Sequence, residues 1–286
     1  MNPQTSITIF ATYWNERDWI EASLAQIDIF KPHEVIIVDG CFDTKYENKS
    51  TDGTREVIEK WVDSRPNATM ISALRKSRIG SLWYLFGHGL TWWNWPLRIA
   101  LMIYYARTNI YRINQACTFA FMLHTAKNNK PGDWIMHIDA DQFYPDTMIE
   151  KIKKITTDPN NKAELLTANE QTFFTDFNHY TIEYESRNYN NMPYKLRHNT
   201  IIVPTRDVVL EKYPKPAVFG KDTKIKKICL GSYFHYKFRP YDAKRLNSGY
   251  NVGDRKKPNI SNYLTQTFTG EHPSIIQNNF LKLFNS

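Results

Sequence analysis

The stretch 134–141 reads WIMHIDAD, an apolar run that ends in Asp139 and Asp141. Such a run predicts a buried β-strand with two carboxylates at its carboxyl end. Because side chains alternate along an extended chain, both carboxylates are expected to project to the same side. Two hard oxygen ligands beside open positions suit Mg²⁺ or Mn²⁺, and either cation would also bind a diphosphate. Two aspartates separated by one residue also occur by chance in chains that bind no metal.

The residues before this stretch alternate between strand-like and helix-like patterns, as βαβ units around a parallel sheet do. The expected strands are 6–12, 34–39, 68–73 and 133–139, and the expected helices are 15–28, a segment capped by Asp52 or Thr54, and 112–127. The sequence therefore predicts an α/β fold with a Rossmann-like, mostly parallel central sheet and helices on both faces. Ligands of such sheets bind at the carboxyl ends of the strands, where Asp139 and Asp141 are expected.

The segment 74–111 interrupts this alternation and is rich in Trp and Tyr among arginines. We interpret it as an insertion. A small hydrophobic subdomain that simply packs explains it, but aromatic rings beside arginine also stack on sugars or unpaired bases, or lie at a lipid headgroup boundary. Beyond residue 160, strand-like runs occur at 163–174, 199–204 and 228–238, with polar linkers between them.

Composition sets the broad class of the protein. A chain of 286 residues with 42% apolar and 14% aromatic residues can bury one substantial core, or a core and a subdomain. The net charge of +8 mildly favours a polyanionic partner such as nucleic acid or an anionic lipid surface. The three cysteines are too few and too dispersed for a disulfide framework or a cysteine zinc site. With no leader-like start and no apolar run long enough to span a bilayer, we expect a soluble, cytoplasmic protein.

Four motifs occur in order along the first 150 residues. They are Thr12-Tyr13-Trp14-Asn15-Glu16, then Val38-Asp39-Gly40 followed by Ser50-Thr51-Asp52-Gly53-Thr54, then Arg112-Ile113-Asn114-Gln115-Ala116, and finally the Asp139/Asp141 pair. In this order they resemble the motifs of family 2 glycosyltransferases and their relatives with the GT-A fold, the nucleotide-diphospho-sugar transferase fold. The Asp-Gly and Ser-x-Asp-Gly-Thr parts of the family signature are split here by the insertion CFDTKYENK. The resemblance covers about residues 6 to 150, apart from the aromatic segment.

The resemblance implies that the two parts of the chain have different roles. Residues 1–160 would form the nucleotide-sugar-binding half, with the aromatic insertion at about 74–111, and residues 161–286 the acceptor-binding and C-terminal half. Thr12, Tyr13 and Glu16 would border the nucleoside, Asp39 would contact the base, and Asp52 and Arg112 would shape the nucleotide pocket. Asp139 would lie near the ribose and the metal, and Asp141 would be the more direct metal ligand.

A histidine late in the chain extends this implied site. In the stretch SYFHYKF (232–238), alternation puts Tyr233, His235 and Lys237 on one face of a strand. His235 resembles the histidine that completes the metal or diphosphate site in many GT-A enzymes, while Lys237 or Arg239 would approach a phosphate. A histidine whose hydrogen bonds are purely structural explains the same pattern.

Transfer of a sugar with inversion also needs a general base that accepts the proton of the acceptor hydroxyl. The acidic pair that usually follows the metal motif in the family is not clearly present in this sequence. The candidates are Glu170, Asp176 and Glu183, and Glu170 is favoured because it follows a strand. Inversion of configuration therefore rests on the family resemblance alone.

The expected function is transfer of a hexosyl or pentosyl group from a nucleotide-sugar donor, UDP-linked in the first instance, to an acceptor hydroxyl with Mn²⁺ or Mg²⁺. The acceptor would be a glycan or a lipid-linked sugar, with peripheral membrane contact left open. The alternatives are transfer to hydroxymethylated, phage-type DNA and a catalytically silent GT-A-fold binding module. Nucleotidyl transfer is disfavoured, since no glycine for a phosphate loop occurs between Thr12 and Gly40.

Overall fold

A computed structural model describes residues 7–88, 99, 103, 106–128, 130, 132–181, 187–188, 192–196, 226–246 and 265–284. The strand expected at 199–204 and the candidate base Glu183 lie outside these residues. The strands are β1 (Ile7–Tyr13), β2 (Glu34–Asp39), β3 (Ala68–Ser72), β4 (Trp134–Asp139), β5 (Gln142–Phe143), β6 (Leu165–Phe173), β7 (His179–Thr181), β8 (Arg187–Asn188), β9 (Tyr194–Lys195), β10 (Lys227–Tyr236), β11 (Phe238–Arg239), β12 (Asp242–Leu246) and β13 (Thr265–Thr267). The helices are α1 (Ile20–Phe30), α2 (Thr54–Asp63), α3 (Arg78–His88), α4 (Ile110–Thr125), α5 (Asp146–Thr157) and α6 (Ser274–Phe284).

One mixed sheet, with most of its pairing parallel, organises the described residues. β1 pairs in parallel with β2 and β4, and β2 pairs in parallel with β3. The short strand β9 runs antiparallel to both β4 and β6, so β6 runs in the same direction as β4, and β10 is parallel to β6. β1, β2, β3, β4, β6 and β10 therefore all end at the same edge of the sheet. The predicted α/β fold with a mostly parallel central sheet is confirmed.

Helices cover both faces of this sheet, because both faces of its central strands are apolar. On β1, Ile7 and Ile9 pack in a cluster with α1, α2 and α5, whereas Phe10 packs in a second cluster with α4. β2 divides in the same way between its odd-numbered and even-numbered residues. A strand buried on both faces is apolar almost throughout, as EVIIVD is.

The predicted elements that fall in the described ranges agree with the structure to within about five residues, but several elements were not expected, among them α6 and the short strands β5, β7 to β9 and β11 to β13. α1 begins at Ile20 rather than at residue 15 because Asn15 has a left-handed backbone (φ 54°) and turns the chain. α5 was not expected, and it follows the acidic pair directly through Pro145. α3 lies inside the segment interpreted as an insertion. No helix in the described ranges is long and apolar enough to cross a bilayer.

Trp19 ties the two halves of the chain together. Its side chain is fully buried, its indole Nε1 donates to the carbonyl of Phe238 at 3.0 Å, and its ring stacks on Tyr236 with centroids 5.4 Å apart. Phe177 and Phe280 pack edge-on against the same ring. A residue next to α1 therefore lies at the centre of an aromatic cluster that is otherwise drawn from the C-terminal half.

Replacement of Trp19 by Ala should therefore lower the free energy of unfolding by about 3–5 kcal/mol, because a large buried side chain is lost and a cavity is left. Trp83 is 69% exposed, so Trp83→Ala should change stability by no more than about 0.5 kcal/mol. Urea denaturation followed by circular dichroism compares the two variants. Equal stability losses would contradict the central position of Trp19.

A neutral, partly buried histidine lies beside the same cluster. His272 Nε2 lies 2.8 Å from the carbonyl oxygen of Phe177, and Nδ1 lies 2.6 Å from the hydroxyl of Tyr236. A carbonyl oxygen only accepts, so Nε2 carries the proton and Nδ1 accepts from Tyr236. Burial lowers the pKa of His272 from 6.5 to about 4, although the hydrogen bond to the Phe177 carbonyl opposes the shift.

Stability should consequently depend on pH through His272. Below the unfolded-state pKa of 6.5 the unfolded chain takes up this proton, whereas the folded chain takes it up only near pH 4. The free energy of unfolding is expected to fall by about 2 kcal/mol from His272 alone as the pH is lowered through this window, after allowance for its partial exposure. His272→Gln should flatten that slope in urea titrations at several pH values, whereas His33→Gln, at an exposed site, should not. An unchanged slope in His272→Gln would contradict the assignment.

Candidate active site

Polar side chains collect at the edge of the sheet where the parallel strands end. β1 and β2 finish in register at Tyr13 and Asp39, and β4 finishes at Asp139 opposite Thr12. The end of β10 joins them, because Tyr236 N donates to the carbonyl of Asp141 at 2.8 Å. The carboxyl edge of an open α/β sheet is where ligands usually bind.

Asp139 and Asp141 lie on different local structures. β4 ends at Asp139, and Ala140 and Asp141 form a turn, so strand alternation does not set the direction of Asp141 as the sequence suggested. Asp139 Oδ1 accepts a hydrogen bond from the Thr12 hydroxyl at 3.2 Å. The buried amide of Gln26 on α1 fixes the residues after the turn by donating to the Gln142 carbonyl at 3.0 Å and accepting from Tyr144 N at 2.7 Å.

A chain of three ionisable groups leads from the turn into the interior. His235 Nε2 lies 3.1 Å from Asp141 Oδ1, and His235 Nδ1 lies 2.7 Å from Glu170 Oε1. All three residues are buried, with 8%, 5% and 7% of their surfaces exposed for Asp141, His235 and Glu170. Lys237 Nζ is 3.7 Å from the other oxygen of Asp141. The structure thus brings together His235, Lys237 and Asp141, which the sequence had placed in one site.

The hydrogen bonds of this chain prepare His235 Nε2 to bind a cation. Glu170 is a carboxylate acceptor, so the proton of the imidazole lies on Nδ1. Nε2 is buried and makes no aligned hydrogen bond, although Asp141 Oδ1 is close to it. With no cation bound, a proton on Nε2 would face Asp141 Oδ1 across 3.1 Å, and a divalent cation would take the place of that proton. A carboxylate that orients a metal-binding histidine through its far nitrogen is a common arrangement, and a divalent cation fits these donors.

Protein side chains supply only part of a coordination shell here. Within the described ranges, no group of three or more His, Cys, Asp and Glu is arranged as a complete metal site. Mg²⁺ and Mn²⁺ often keep only one or two carboxylate ligands and complete the shell with water and substrate phosphates. Asp141 and His235 are therefore the residues that would hold the cation, with Asp139 nearby on the same turn.

Electrostatics keep Glu170 charged in spite of its burial. Burial by itself would raise the pKa of Glu170, but the charge of His235, its hydrogen bond, and the charge of Lys237 together hold that pKa well below its usual range. Burial would lower the pKa of His235, but Asp141 and Glu170 raise it above its ordinary value against the opposing charge of Lys237. Glu170 is consequently an ionised acceptor at any pH near neutrality.

Glu170 lies within β6 and not after a strand, as the sequence had suggested, and neighbours on the same sheet hold it. Its Oε1 accepts from the Thr172 hydroxyl at 2.8 Å, and its Oε2 accepts from the Tyr233 hydroxyl at 2.7 Å. The ring of Tyr144 stacks on that of Tyr233, with centroids 5.4 Å apart. These contacts enclose the carboxylate, so they favour a role in positioning His235 over the predicted role as general base.

The turn after β1 is bound to the loop before α2. Asn15 N donates to the Ser50 hydroxyl at 2.9 Å, and Asn15 Oδ1 accepts from Thr51 N at 2.8 Å. Glu16 N donates to the Thr54 hydroxyl at 2.8 Å. Asp52 accepts from Thr54 N and from Arg17 N, both at 3.0 Å, which fixes the turn. The N-cap residue of α2 is Gly53 and not Asp52 or Thr54, as the sequence had suggested.

Asp39 anchors this loop at the end of β2. Its side chain is fully buried, accepts from the Ser50 hydroxyl at 2.6 Å and forms an ion pair with Arg55 at 2.9 Å. Gly40 follows because a Cβ there would lie 2.7 Å from that of Ala73 and 2.9 Å from Asn48 Oδ1. The predicted contact of Asp39 with a base stays a prediction, and the structure shows Asp39 bonded within the protein.

The remaining predicted residues lie outside the Asp141–His235–Glu170 chain. Tyr13 is buried under α1, where its hydroxyl is 2.9 Å from Ser23 Oγ, so its side chain belongs to the core. Arg112 lies in the first turn of α4 and donates to Gln115 at 3.0 Å. Asp176 lies in the loop after β6, where its carboxylate, 41% exposed, accepts from His179 N at 2.8 Å.

The sequence interpretation missed two supporting residues, Arg55 and Gln26, and gave no role to a third, Tyr233, which it had placed beside His235. Arg55 holds Asp39, Tyr233 holds Glu170, and Gln26 holds the chain after Asp141. Arg239, predicted to approach phosphate, donates to the Asn15 carbonyl at 2.9 Å and lies 3.6 Å from Asp18. The alternation of Tyr233 with His235 was the one signal available, since the other partners are far apart in sequence.

No protein-family model matches the chain, and no curated protein matches it. Among the solved structures, 22 chains match this chain, including the following two. The mannosyltransferase PcManGT from Pyrobaculum calidifontis, in complex with GDP-Man and Mn²⁺, is 14% identical with a TM-score of 0.42, and the alignment covers 82% of this chain and 57% of that one. S. aureus TarS 1-349 is 12% identical with a TM-score of 0.42, over 81% and 60%. This chain spans less than two thirds of either, and its function is argued from its own residues.

The buried hydroxyl of Tyr233 gives a direct test of the charge on Glu170. Tyr233→Phe leaves the carboxylate without one of its donors, so the free energy of unfolding should fall by about 1.5–3 kcal/mol, as for hydrogen bonds to charged groups. Tyr180→Phe removes a phenolic hydrogen bond to Gln266 at an exposed site, and we expect a loss below about 0.5 kcal/mol. Urea denaturation at neutral pH compares the two, and equal losses would contradict a buried, ionised Glu170.

Proposed function

We propose that the chain is a glycosyltransferase with the GT-A fold that uses a nucleotide-sugar donor and a divalent cation, Mn²⁺ or Mg²⁺. The observation that carries the proposal is the Asp141–His235–Glu170 chain, with Lys237 beside Asp141, at the carboxyl edge of the sheet. The ordered motifs from Thr12 to Asp141 support the same conclusion. The segments that bear Thr12, Asp39, Ser50 and Asp139 meet at this edge, and Asn114 of the helical motif donates to the Phe42 carbonyl in the loop after β2.

The donor diphosphate would lie next to Asp141, His235 and Lys237. A divalent cation bound there supplies positive charge to the oxygens of the leaving diphosphate. Lys237 adds a second positive charge, and Glu170 keeps the His235 ring in the tautomer that presents Nε2. Thr12 holds the carboxylate of Asp139 towards the ribose side of the proposed nucleotide site.

In the proposed reaction an acceptor oxygen forms a bond to the anomeric carbon, while the bond from that carbon to the donor phosphate oxygen breaks. The nucleoside diphosphate leaves with the electron pair, and the acceptor proton passes to a carboxylate. Of the two described candidates, Glu170 is enclosed by Thr172, Tyr233 and His235. Asp176 lies after β6 at the same edge. Its carboxylate accepts from Asn178 N and His179 N and lies 3.0 Å from His179 Nδ1, but it is 41% exposed, so the proposal assigns the base to Asp176.

Several finer points belong to this proposal. We assign a UDP-sugar as donor, inversion of configuration, a glycan or lipid-linked acceptor and a cytoplasmic location. Residues 1–160 would bind the nucleotide sugar and residues 161–286 the acceptor. Thr12, Glu16, Asp39, Asp52 and Arg112 would border the nucleotide through the loops that they hold at the sheet edge.

Release of nucleoside diphosphate from UDP- and GDP-sugars, with Mn²⁺, Mg²⁺ or EDTA, tests the proposal. We expect turnover of one donor that EDTA abolishes and that Asp141→Asn or His235→Ala lowers by about a hundredfold or more, since cation stabilisation is worth several kcal/mol. Asp158→Asn is the matched control, because Asp158 is an exposed aspartate that only forms a turn with Asn160. Asp176→Asn should lose transfer while keeping calorimetric binding of the nucleoside diphosphate.

Two results would reject the proposal. No binding and no turnover of any donor, by a protein that unfolds cooperatively, would mean that the scaffold has another role. Metal-dependent turnover that survives in Asp141→Asn would move the site elsewhere. Transfer to hydroxymethylated DNA, with none to oligosaccharides or lipid-linked sugars, would keep the enzyme and change its acceptor.

A further inference from the structure

The positive charge of the chain is concentrated in one segment. Residues 64–132 contain nine Lys and Arg and no Asp or Glu, so the rest of the chain carries 28 basic against 29 acidic residues. The net charge of +8 therefore comes from this segment, which contains α3 and α4. The same segment holds four of the eight tryptophans, all between residues 83 and 95. Such segregation predicts a surface that attracts anionic partners.

An apolar stripe is exposed within this basic segment. Ile79 and Trp83 on α3 are 70% and 69% exposed, and Phe86 packs edge-on against Trp83 with centroids 6.0 Å apart. The spacing of four and three residues puts the three side chains on one face of the helix. Ile99 and Ile103 are also more than half exposed. Six large apolar residues are exposed in the described ranges: Ile79, Trp83, Ile99 and Ile103 belong to this segment, and the other two are Tyr46 and Tyr241.

The stripe is not the result of a loosely attached helix. The opposite face of α3 is buried, with Ser81 and Leu85 exposed by no more than 1%. The Ser81 hydroxyl donates to Asn114 Oδ1 at 2.9 Å, and the amide of Asn114 donates to the Phe42 carbonyl at 3.1 Å. α3 is thus fixed against α4 while its apolar outer face is presented to the surroundings, which marks an interaction site.

Exposed cations flank the stripe. Lys76, Arg78 and Arg107 are all exposed, and Arg78 donates to the carbonyls of Ala106 and Thr108 at 2.9 and 2.8 Å, which ties the two ends of the inserted segment together. An apolar stripe of Ile and Trp with Lys and Arg beside it is the composition of helices that lie in a membrane interface.

We propose that this face, Ile79–Trp83–Phe86 with its flanking cations, docks on an anionic lipid bilayer. Charge complementarity supports an anionic surface, and the exposed isoleucines favour lipid over nucleic acid. Single-stranded nucleic acid binds by stacking of bases on aromatic rings, to which isoleucine contributes nothing. Isoleucine and tryptophan, in contrast, both insert among lipid headgroups and acyl chains, and long cationic side chains reach back to the phosphates.

The face adjoins the candidate active site. The segment leaves the sheet at the carboxyl end of β3, where Ser72 is paired with Asp39. Arg75 then donates to the carbonyls of Asp43 and Tyr46 in the loop that follows β2, at 2.9 and 2.7 Å. Docking through α3 would therefore hold the sheet edge next to the membrane. Membrane docking does not depend on the proposed function, and it can be measured without any donor or acceptor.

Co-sedimentation of the full chain with phosphatidylcholine vesicles, with and without about 30 mol% phosphatidylglycerol, tests the proposal. We expect binding to the anionic vesicles that weakens as salt is raised. Trp83→Ser should weaken it about tenfold or more through lost apolar insertion. Tyr241→Ser is the matched control, since Tyr241 is 71% exposed and lies outside the segment.

The cations are tested in the same assay. Arg107→Gln should weaken binding about three- to fivefold, and Lys162→Gln should not change it.

Three results would overturn the proposal. The first is no binding of wild type to anionic vesicles at low salt. The second is binding to single-stranded DNA but not to vesicles, which would make the face a nucleic-acid surface. The third is a dimer in sedimentation velocity that Trp83→Ser converts to a monomer, which would make the face an interface between copies. Vesicle binding with no donor turnover would support docking and reject the proposed enzyme, so the two proposals fail separately.

Discussion

Parallel pairing of β1 between β2 and β4 is the constraint on which the rest of the structure depends. Parallel strands need crossovers, which the helices provide, and the crossovers bring every strand end to one edge. Thr12, Asp39 and Asp139 therefore meet although they are separated by up to 127 residues. The pairing of β10 with β6 then adds His235 and Lys237 to the same edge. No local interaction of any one segment would collect these groups.

The cost of this arrangement lies in its buried charges. Glu170 and Asp141 are almost fully enclosed, and removal of a carboxylate from water is expensive unless donors replace the water. Thr172, Tyr233 and His235 provide those donors for Glu170, whereas Asp141 has the charges of His235 and Lys237. A protein gains little stability from such a chain of charges compared with a packed apolar core. The chain of buried charges is therefore better explained by the groups that it presents at the sheet edge than by a gain in stability.

Unlike the sheet edge, which encloses charged groups, the basic, aromatic segment exposes apolar groups. Its buried side is an ordinary helix contact between α3 and α4, strengthened by the Asn114 amide, and its outer side carries apolar groups that the fold leaves uncovered. The sheet edge and the outer face of α3 therefore face different surroundings. Charged groups enclosed at the sheet edge suit a small anionic ligand, and the exposed apolar stripe beside it suits a larger surface.

The sequence by itself determined the α/β class, the first four strands, the positions of the helices around them and the acidic pair, because these depend on local periodicity and on short motifs. It also placed Tyr233, His235 and Lys237 on one face by alternation. Only the tertiary structure decided that the Glu170 carboxylate is enclosed and bonded to His235. It also decided that Asp39 is paired with Arg55 and that the Tyr13 side chain packs in the core. These outcomes depend on contacts between residues 10 to 65 positions apart, and such contacts produce no periodic pattern in the sequence.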